Sequence, residues 1–175
     1  MSFFDSIDAP VETDLLVSFF DLTNFVKITN SHSGLELFGL LSDFYEMTDR
    51  IIRENGGRII KFIGDAGLIV FEPQNADRGV KALMRLQKDS ETFFESRKVH
   101  TRLIVKAHFG SAACGKICSG GGRRLDVFGE TVNTAATLAS KGFAISPQAF
   151  RKLSAETRKL FHKLTPPITY VITNG

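Results

Sequence analysis

Between Asp14 and Asp21 the chain is apolar almost without interruption, through Leu15, Leu16, Val17, Phe19 and Phe20. That run predicts a first β-strand ending on an acid. From Ser33 to Asn55 the period changes. Leu37, Leu40, Leu41, Phe44, Met47, Ile51 and Ile52 recur at steps of three and four, the spacing of an amphipathic helix. Ser33 is placed to cap it and Gly56-Gly57 to stop it. Arg58 to Ile63 and Gly67 to Phe71 read as two strands of a hairpin around Gly64-Asp65-Ala66. Ala76 to Arg97 is a second helix, with Val80, Leu83, Met84, Leu86, Phe93 and Phe94 inward. Arg102 to Phe109 alternates as a fourth strand, and Ala112 to Cys118 follows as a fifth.

The remainder is read as a flexible connection at Ser119 to Gly122, a short strand near Leu125 to Phe128 and a helix from Glu130 to Lys141. A short extended piece, Ala144 to Ser146, precedes a helix from Pro147 to Phe161 that is closed by Pro166 and Pro167. Thr169 to Thr173 is a last strand.

The leading order β-α-β-β-α-β is that of a ferredoxin-like core, so the expected fold is α+β with extra C-terminal strands and helices. All of 1–175 is expected as one domain, with 1–12 a flexible lead-in. In this plan strands one and two run parallel with the third between them. The end of strand one and the turn between strands two and three then share one sheet edge. Asp21 and Asp65, 44 residues apart, are brought together there. Two neighbouring carboxylates at a strand end are suited to holding Mg²⁺ on a nucleoside triphosphate.

Composition narrows the classes without naming a function. With 175 residues, 43% hydrophobic and 23% charged, the chain can bury a full core. Sixteen Phe against no Trp and two Tyr make that core aromatic. A net charge of +3, with no basic stripe interleaved with aromatics, does not suit nucleic acid and does suit a small anionic substrate. No apolar run approaches the ~20 residues of a membrane span. Four acids and no base within 1–14 do not make a signal peptide. Cys114 and Cys118, four apart on one strand, would lie roughly 13 Å apart, too far for a disulfide. Buried, reduced thiols in a cytoplasmic protein are the expectation.

Three segments carry a family resemblance. They are Phe19-Phe20-Asp21-Leu22-Thr23-Asn24-Phe25, then Lys61-Phe62-Ile63-Gly64-Asp65, then Asp126 through Ala136 in the order Asp-Val-Phe-Gly-Glu-Thr-Val-Asn-Thr-Ala-Ala. In order and separation they resemble the catalytic domain of class III nucleotidyl cyclases. His108 to Gly115 is similar to that family's turn between fourth and fifth strands. The resemblance implies that Asp21, Asp65 and the carbonyl of Leu22 bind two Mg²⁺ or Mn²⁺ ions. It implies that the amides of Thr23, Asn24 and Phe25 receive phosphate oxygens. Lys61 and Asp126 match the pair that reads the base, and a Lys donor with an Asp acceptor suits the adenine of ATP. Asn133 matches the helix residue that orients ribose and the reacting phosphate. The implied reaction is formation of 3′,5′-cyclic AMP with release of pyrophosphate. The implied assembly is a homodimer whose sites are shared between chains, with any regulatory domain or partner lying outside this chain.

One departure bears on activity. Where the family carries an arginine four residues after the asparagine, this chain has Thr137. Losing one such donor costs ~10²–10³ in rate. Lys141, one turn further on the expected helix, is the first candidate to replace it, and Arg123 or Arg124 the next. Lys163 is the nearest candidate for a triphosphate-binding lysine. Gly110 to Lys116 imitates a P-loop, but Ile117 stands where Ser or Thr would hold Mg²⁺, and no helix follows. Diguanylate cyclases and polymerase palms share a related core, but their signature sequences are missing. The competing reading is a cyclase-homology domain that dimerises and binds nucleotide as a regulator without efficient catalysis.

Overall fold

A computed structural model describes residues 3–165 and 167–173. Among these, eight strands form one sheet in the order β2-β3-β1-β4-β6-β8-β7, with β5 paired to β4. The strands are β1 (Val11–Leu22), β2 (Gly57–Ile63), β3 (Ala66–Phe71), β4 (Leu103–Ser119), β5 (Gly122–Phe128), β6 (Phe143–Ile145), β7 (Phe161–Leu164) and β8 (Thr169–Ile172). As the ferredoxin-like plan requires, β3 lies antiparallel between β1 and β2. The long helices α3 (Gly34–Glu54) and α4 (Ala76–Ser96) pack together on one face.

Local chemistry explains the elements. Ser33 accepts the Glu36 amide while the Glu36 carboxylate accepts the Ser33 amide, a reciprocal cap that starts α3. Beyond its end, Gly56 takes φ +76°, which glycine adopts without a side-chain clash. The inner stripes of α3 and α4 meet alternate residues of the sheet in an aromatic core. Phe44 stands edge-on to Phe20 at 5.9 Å and lies 5.1 Å from Phe94. The opposite face carries a second cluster built on Leu15, Val17, Ile60, Leu68, Val70 and Val127.

Several expectations are corrected. From Phe3 onward the lead-in is not loose. α1 (Phe3–Ser6) and the segment after it pack on the second cluster, burying Phe4 and Ile7. Strands four and five are one continuous β4, because alternation runs straight through Gly110. A Cβ at Gly110 would come 2.6 Å from Thr131 Oγ1, so glycine admits the next helix rather than making a turn. The real turn is Gly120-Gly121, both at positive φ, between the paired Ser119 and Gly122. Cys114 is buried as expected, with burial pushing its thiol up to about 11, but Cys118 is exposed. α5 (Glu130–Thr137) stops four residues early, and Leu138 is already extended.

The helix expected over 147–161 is two short ones, α6 (Pro147–Arg151) and α7 (Ala155–Arg158). Ser154 interrupts them because it caps α7, accepting the Thr157 amide. Its own amide donates to Asp77 on α4. Of the prolines expected to close the segment, Pro166 lies outside the described residues. α2 (Phe25–Ser31) is short and follows directly after β1.

Asp77 therefore ties the C-terminal elements to the helical layer. Burial pushes its carboxyl upward, but hydrogen bonds from Lys81, the Ser154 amide and Thr157 outweigh it and hold it at about 2, against an ordinary 3.8. A folded-state value below the unfolded one stabilises the fold above pH ~4, and this contribution disappears as pH falls towards 2. We expect Asp77→Ala to cost about 1 kcal/mol at pH 7, after screening of its partly exposed charge, and much less at pH 2. Denaturant melts at the two pH values check this.

Candidate active site

The two carboxylates meet as chain topology requires. Phe20 is the register partner of Gly67, so Asp21 falls beside the β2–β3 turn that carries Asp65. Gly67 has a second role, because a Cβ there would lie 2.4 Å from the Phe20 ring. Glycine lets the ring lie flat on the neighbouring strand. Gly64 takes φ +60° in open space, which makes it a turn requirement and not a packing one.

Asp65 is half-buried and Asp21 exposed. Burial pushes the Asp65 carboxyl up, its own amide and that of Leu22 hold it down, and the negative charge of Asp21 pushes it up again. The donor set is thus a pair of mutually repelling carboxylates, with a strand-end backbone between them. In an extended strand a residue's N–H and C=O leave from the same edge. The Leu22 carbonyl therefore projects towards Asp65, like its amide. Two carboxylates and a carbonyl are hard oxygen donors of the kind Mg²⁺ and Mn²⁺ take. Among the described residues no cluster of three or more His, Cys, Asp or Glu side chains competes for a metal.

Sequence reading missed Tyr45. From α3 it stacks on Phe62 at 3.8 Å and donates its hydroxyl to the Gly64 carbonyl. Burial and the nearby Asp65 raise the phenol's pKa, keeping it a donor. The side chain pins the turn that presents Asp65. Its only signal was a polar tip at the margin of an apolar stripe.

The loop expected to receive phosphate oxygens differs from expectation at Thr23. The Thr23 amide donates to the Arg102 carbonyl at 2.9 Å, its hydroxyl accepts the Arg102 amide, and its carbonyl accepts from Thr101. Thr23 therefore braces the loop and has no amide to offer a phosphate. Asn24, in the left-handed region at φ 58°, opens α2 without using its side chain as a cap. The amides of Asn24 and Phe25 have no acceptor among the described residues.

Lys61 and Asp126 are in direct contact. Lys61 Nζ donates to both carboxylate oxygens at 2.9 Å, and Oδ1 also accepts the Val127 amide. Asp126 is only 2% exposed, and Arg124 approaches it at 3.5 Å. A β-bulge makes the contact possible. Register slips between Ile59 and Lys61, so Lys61 pairs with Leu68 and turns to the second-cluster face. Regular alternation would have put it on the helix side.

Asn133 is exposed on α5, and its carbonyl accepts the Thr137 hydroxyl at 2.9 Å. Lys141 is not on that helix at all, because α5 ends at Thr137. It is exposed in the following loop, so the argument from a shared helix face fails. Lys163 is exposed on β7, paired with Tyr170. Its neighbours His162 and Leu164, and not Lys163, line the groove beside α5. Lys163 does not join the residues above, whereas Lys141, though off the helix, lines the same groove as Thr137.

The fold is a ferredoxin-like core with paired acids at the end of β1 and a bulged Lys–Asp contact, the architecture of nucleotidyl-cyclase catalytic domains. The chain belongs to the adenylate and guanylate cyclase catalytic domain family, matched over residues 8–163. It is 26% identical over 134 residues to the adenylate cyclase of Anabaena cylindrica, covering 71% of this chain and 26% of that protein. It is 30% identical over 133 residues to the receptor-type guanylate cyclase gcy-23 of Caenorhabditis elegans, covering 71% of this chain and 12% of that protein. The chain thus spans about a quarter or less of the length of these curated relatives. The adenylyl cyclase CyaB from P. aeruginosa superposes with a TM-score of 0.82 at 16% identity, over 95% of this chain and 97% of that one. No helix among the described residues is long and apolar enough to cross a membrane.

Two measurements probe the site. Because ionised Asp65 is destabilising in the metal-free protein, Asp65→Asn should melt no lower than wild type at pH 7. Mn²⁺ should raise the melting temperature of wild type and not of Asp65→Asn. Equal Mn²⁺ shifts in both would exclude Asp65 as a cation ligand. Asp126→Ala should be destabilising, by about 3 kcal/mol, since it strands Lys61 in a partly buried setting. Chemical denaturation checks it.

Proposed function

We propose that the chain is an adenylyl cyclase domain that converts ATP to 3′,5′-cyclic AMP and pyrophosphate as a homodimer, for intracellular signalling. The observation that carries this reading is the Asp21–Asp65 pair. Two acids held together at a stability cost have an evident use if cations neutralise them. Asp21, Asp65 and the Leu22 carbonyl would hold two divalent ions, Mg²⁺ or Mn²⁺. When bound, these ions make the ribose 3′-hydroxyl more acidic and offset charge on the phosphates.

The chain's own residues do the rest. The free amides of Asn24 and Phe25 face phosphate oxygens at the opening of α2. Lys61 and Asp126 read the base. The ammonium offers a donor to a ring nitrogen and the carboxylate accepts from the exocyclic amine, a pattern that fits adenine. Their mutual contact keeps both charges compensated until a base takes over part of it. Asn133, projecting from α5, orients the ribose. In the dimer each site combines Asp21 and Asp65 of one chain with Lys61, Asp126 and Asn133 of its partner.

A second reading has a specific observation in its favour. Thr137 offers no charge and its hydroxyl is engaged by the Asn133 carbonyl. This suits a domain that binds nucleotide and dimerises as a regulator without turning substrate over.

One assay separates the readings. Cyclic AMP from ATP and cyclic GMP from GTP are measured with Mn²⁺ over a range of protein concentrations, for wild type and Asp21→Ala. We expect ATP to be preferred and Asp21→Ala to lose about 10²-fold or more. Activity should rise faster than linearly in dilute protein. Nucleotide binding without any Asp21-dependent product would favour the regulator.

A further inference from the structure

A groove of about 930 Å³ runs between α4, β4, the loop after α5, and β6 to β8. Its lining carries Arg102, Lys106, Lys141 and His162 against a single acid, Glu91. Unlike the side chains of Arg102 and Lys141, which have no hydrogen-bond partner among the described residues, that of Lys106 is anchored. It stands on β4 opposite Phe19, on the same sheet face as Asp21, since register partners in antiparallel strands share a face. Its ammonium donates to the Ala136 carbonyl at 3.2 Å in a part-buried setting. Among the described residues it meets no carboxylate. An ammonium has three donors, so two remain for the groove.

Ala136 immediately precedes Thr137, and Thr137 stands one helical turn after Asn133. Lys106 therefore delivers a positive charge, from the strand beneath, to the point where a side chain at 137 would begin. We propose that Lys106 supplies the charge that stabilises the reacting phosphate, in the place of a cation on α5. This rests on the cyclase reading above. In the step concerned, the ribose 3′-oxygen forms a bond to the α-phosphorus as the bond from that phosphorus to the bridging α–β oxygen breaks. The electron pair leaves with pyrophosphate and the hydroxyl proton passes to solvent. Lys106 keeps its proton throughout and donates to a phosphate oxygen on which negative charge grows.

A purely structural role is also chemically reasonable, because a cation at a helix C-terminus complements its dipole. Lys106→Gln separates the two, since it retains an N–H for Ala136 and removes the charge. We expect kcat to fall about a hundredfold, with KM changed less than about threefold. Binding of a fluorescent ATP analogue and the melting temperature should stay close to wild type. Adding Thr137→Arg to Lys106→Gln should recover about tenfold or more in kcat, because a guanidinium from α5 reaches the same phosphate. Lys106→Arg should retain more activity than Lys106→Gln. Wild-type turnover in Lys106→Gln, or no recovery on adding Thr137→Arg, would overturn the assignment while leaving the cyclase reading intact. A wild type that binds nucleotide and forms no product would remove both.

Discussion

The register between β1 and β3 is the constraint on which the site depends. Phe20 lies over Gly67, its direct partner, and packs against Phe44 from α3. A slip of one residue would turn Phe20 out of the core and Asp21 into it. Burial of one aromatic ring thus fixes where a carboxylate appears, and burial of a phenylalanine is worth about 2–3 kcal/mol. The neighbouring acid is fixed from the other side, by Gly64 at the turn and the Tyr45 hydroxyl on its carbonyl. Apolar packing on one face of the sheet therefore holds two like charges together on the other.

The same division of labour recurs in the polar contacts. Lys61 reaches Asp126 only because a bulge turns it out of the helix-facing row. Asp126, nearly inaccessible, is compensated three times, by Lys61, by the Val127 amide and by Arg124. A buried carboxylate without such partners would cost several kcal/mol. His108 is treated differently. Burial lowers its pKa, with Glu130 opposing, and its Nδ1 meets Ser146 Oγ at 2.8 Å. It remains neutral and links β4 to the cap of α6. Charges on the site-bearing face thus differ: Lys61 and Asp126 compensate each other, Asp21 and Asp65 repel, and Lys106 meets a carbonyl and no carboxylate among the described residues.

The leading βαββαβ order and the meeting of Asp21 with Asp65 were legible because they follow from long periodic runs and from connection geometry. Ser33, Gly56 and Gly64 marked boundaries through local chemistry that survives in any context. The final third was less legible for a physical reason. Its elements are three to eight residues long, so tertiary contacts outweigh their periodicity. The break at Ser154 depends on Asp77, which is remote in sequence. The early end of α5 left Lys141 off the helix on which it was expected. The bulge before Lys61 has no composition signal, and Lys106 becomes notable only once register places it beneath Ala136. The loss of the Thr23 amide to Arg102 likewise needs the strand pairing to be known.

These contacts bear on whether Thr137 marks a decayed site. A domain kept only for dimerisation gains nothing from Asp65, whose charge is opposed by burial and by Asp21. An asparagine there would retain an acceptor for the Leu22 amide and relieve the repulsion. Nor would it need Tyr45 to hold the turn in place. The structure keeps the electrostatic cost, the brace that directs it and an uncompensated ammonium at the foot of α5. Cost and brace have a common explanation if cations and a polyphosphate complete the charge balance. On the proposal above, the charge that Thr137 does not carry comes from the strand, through the ammonium that meets the carbonyl of the preceding Ala136.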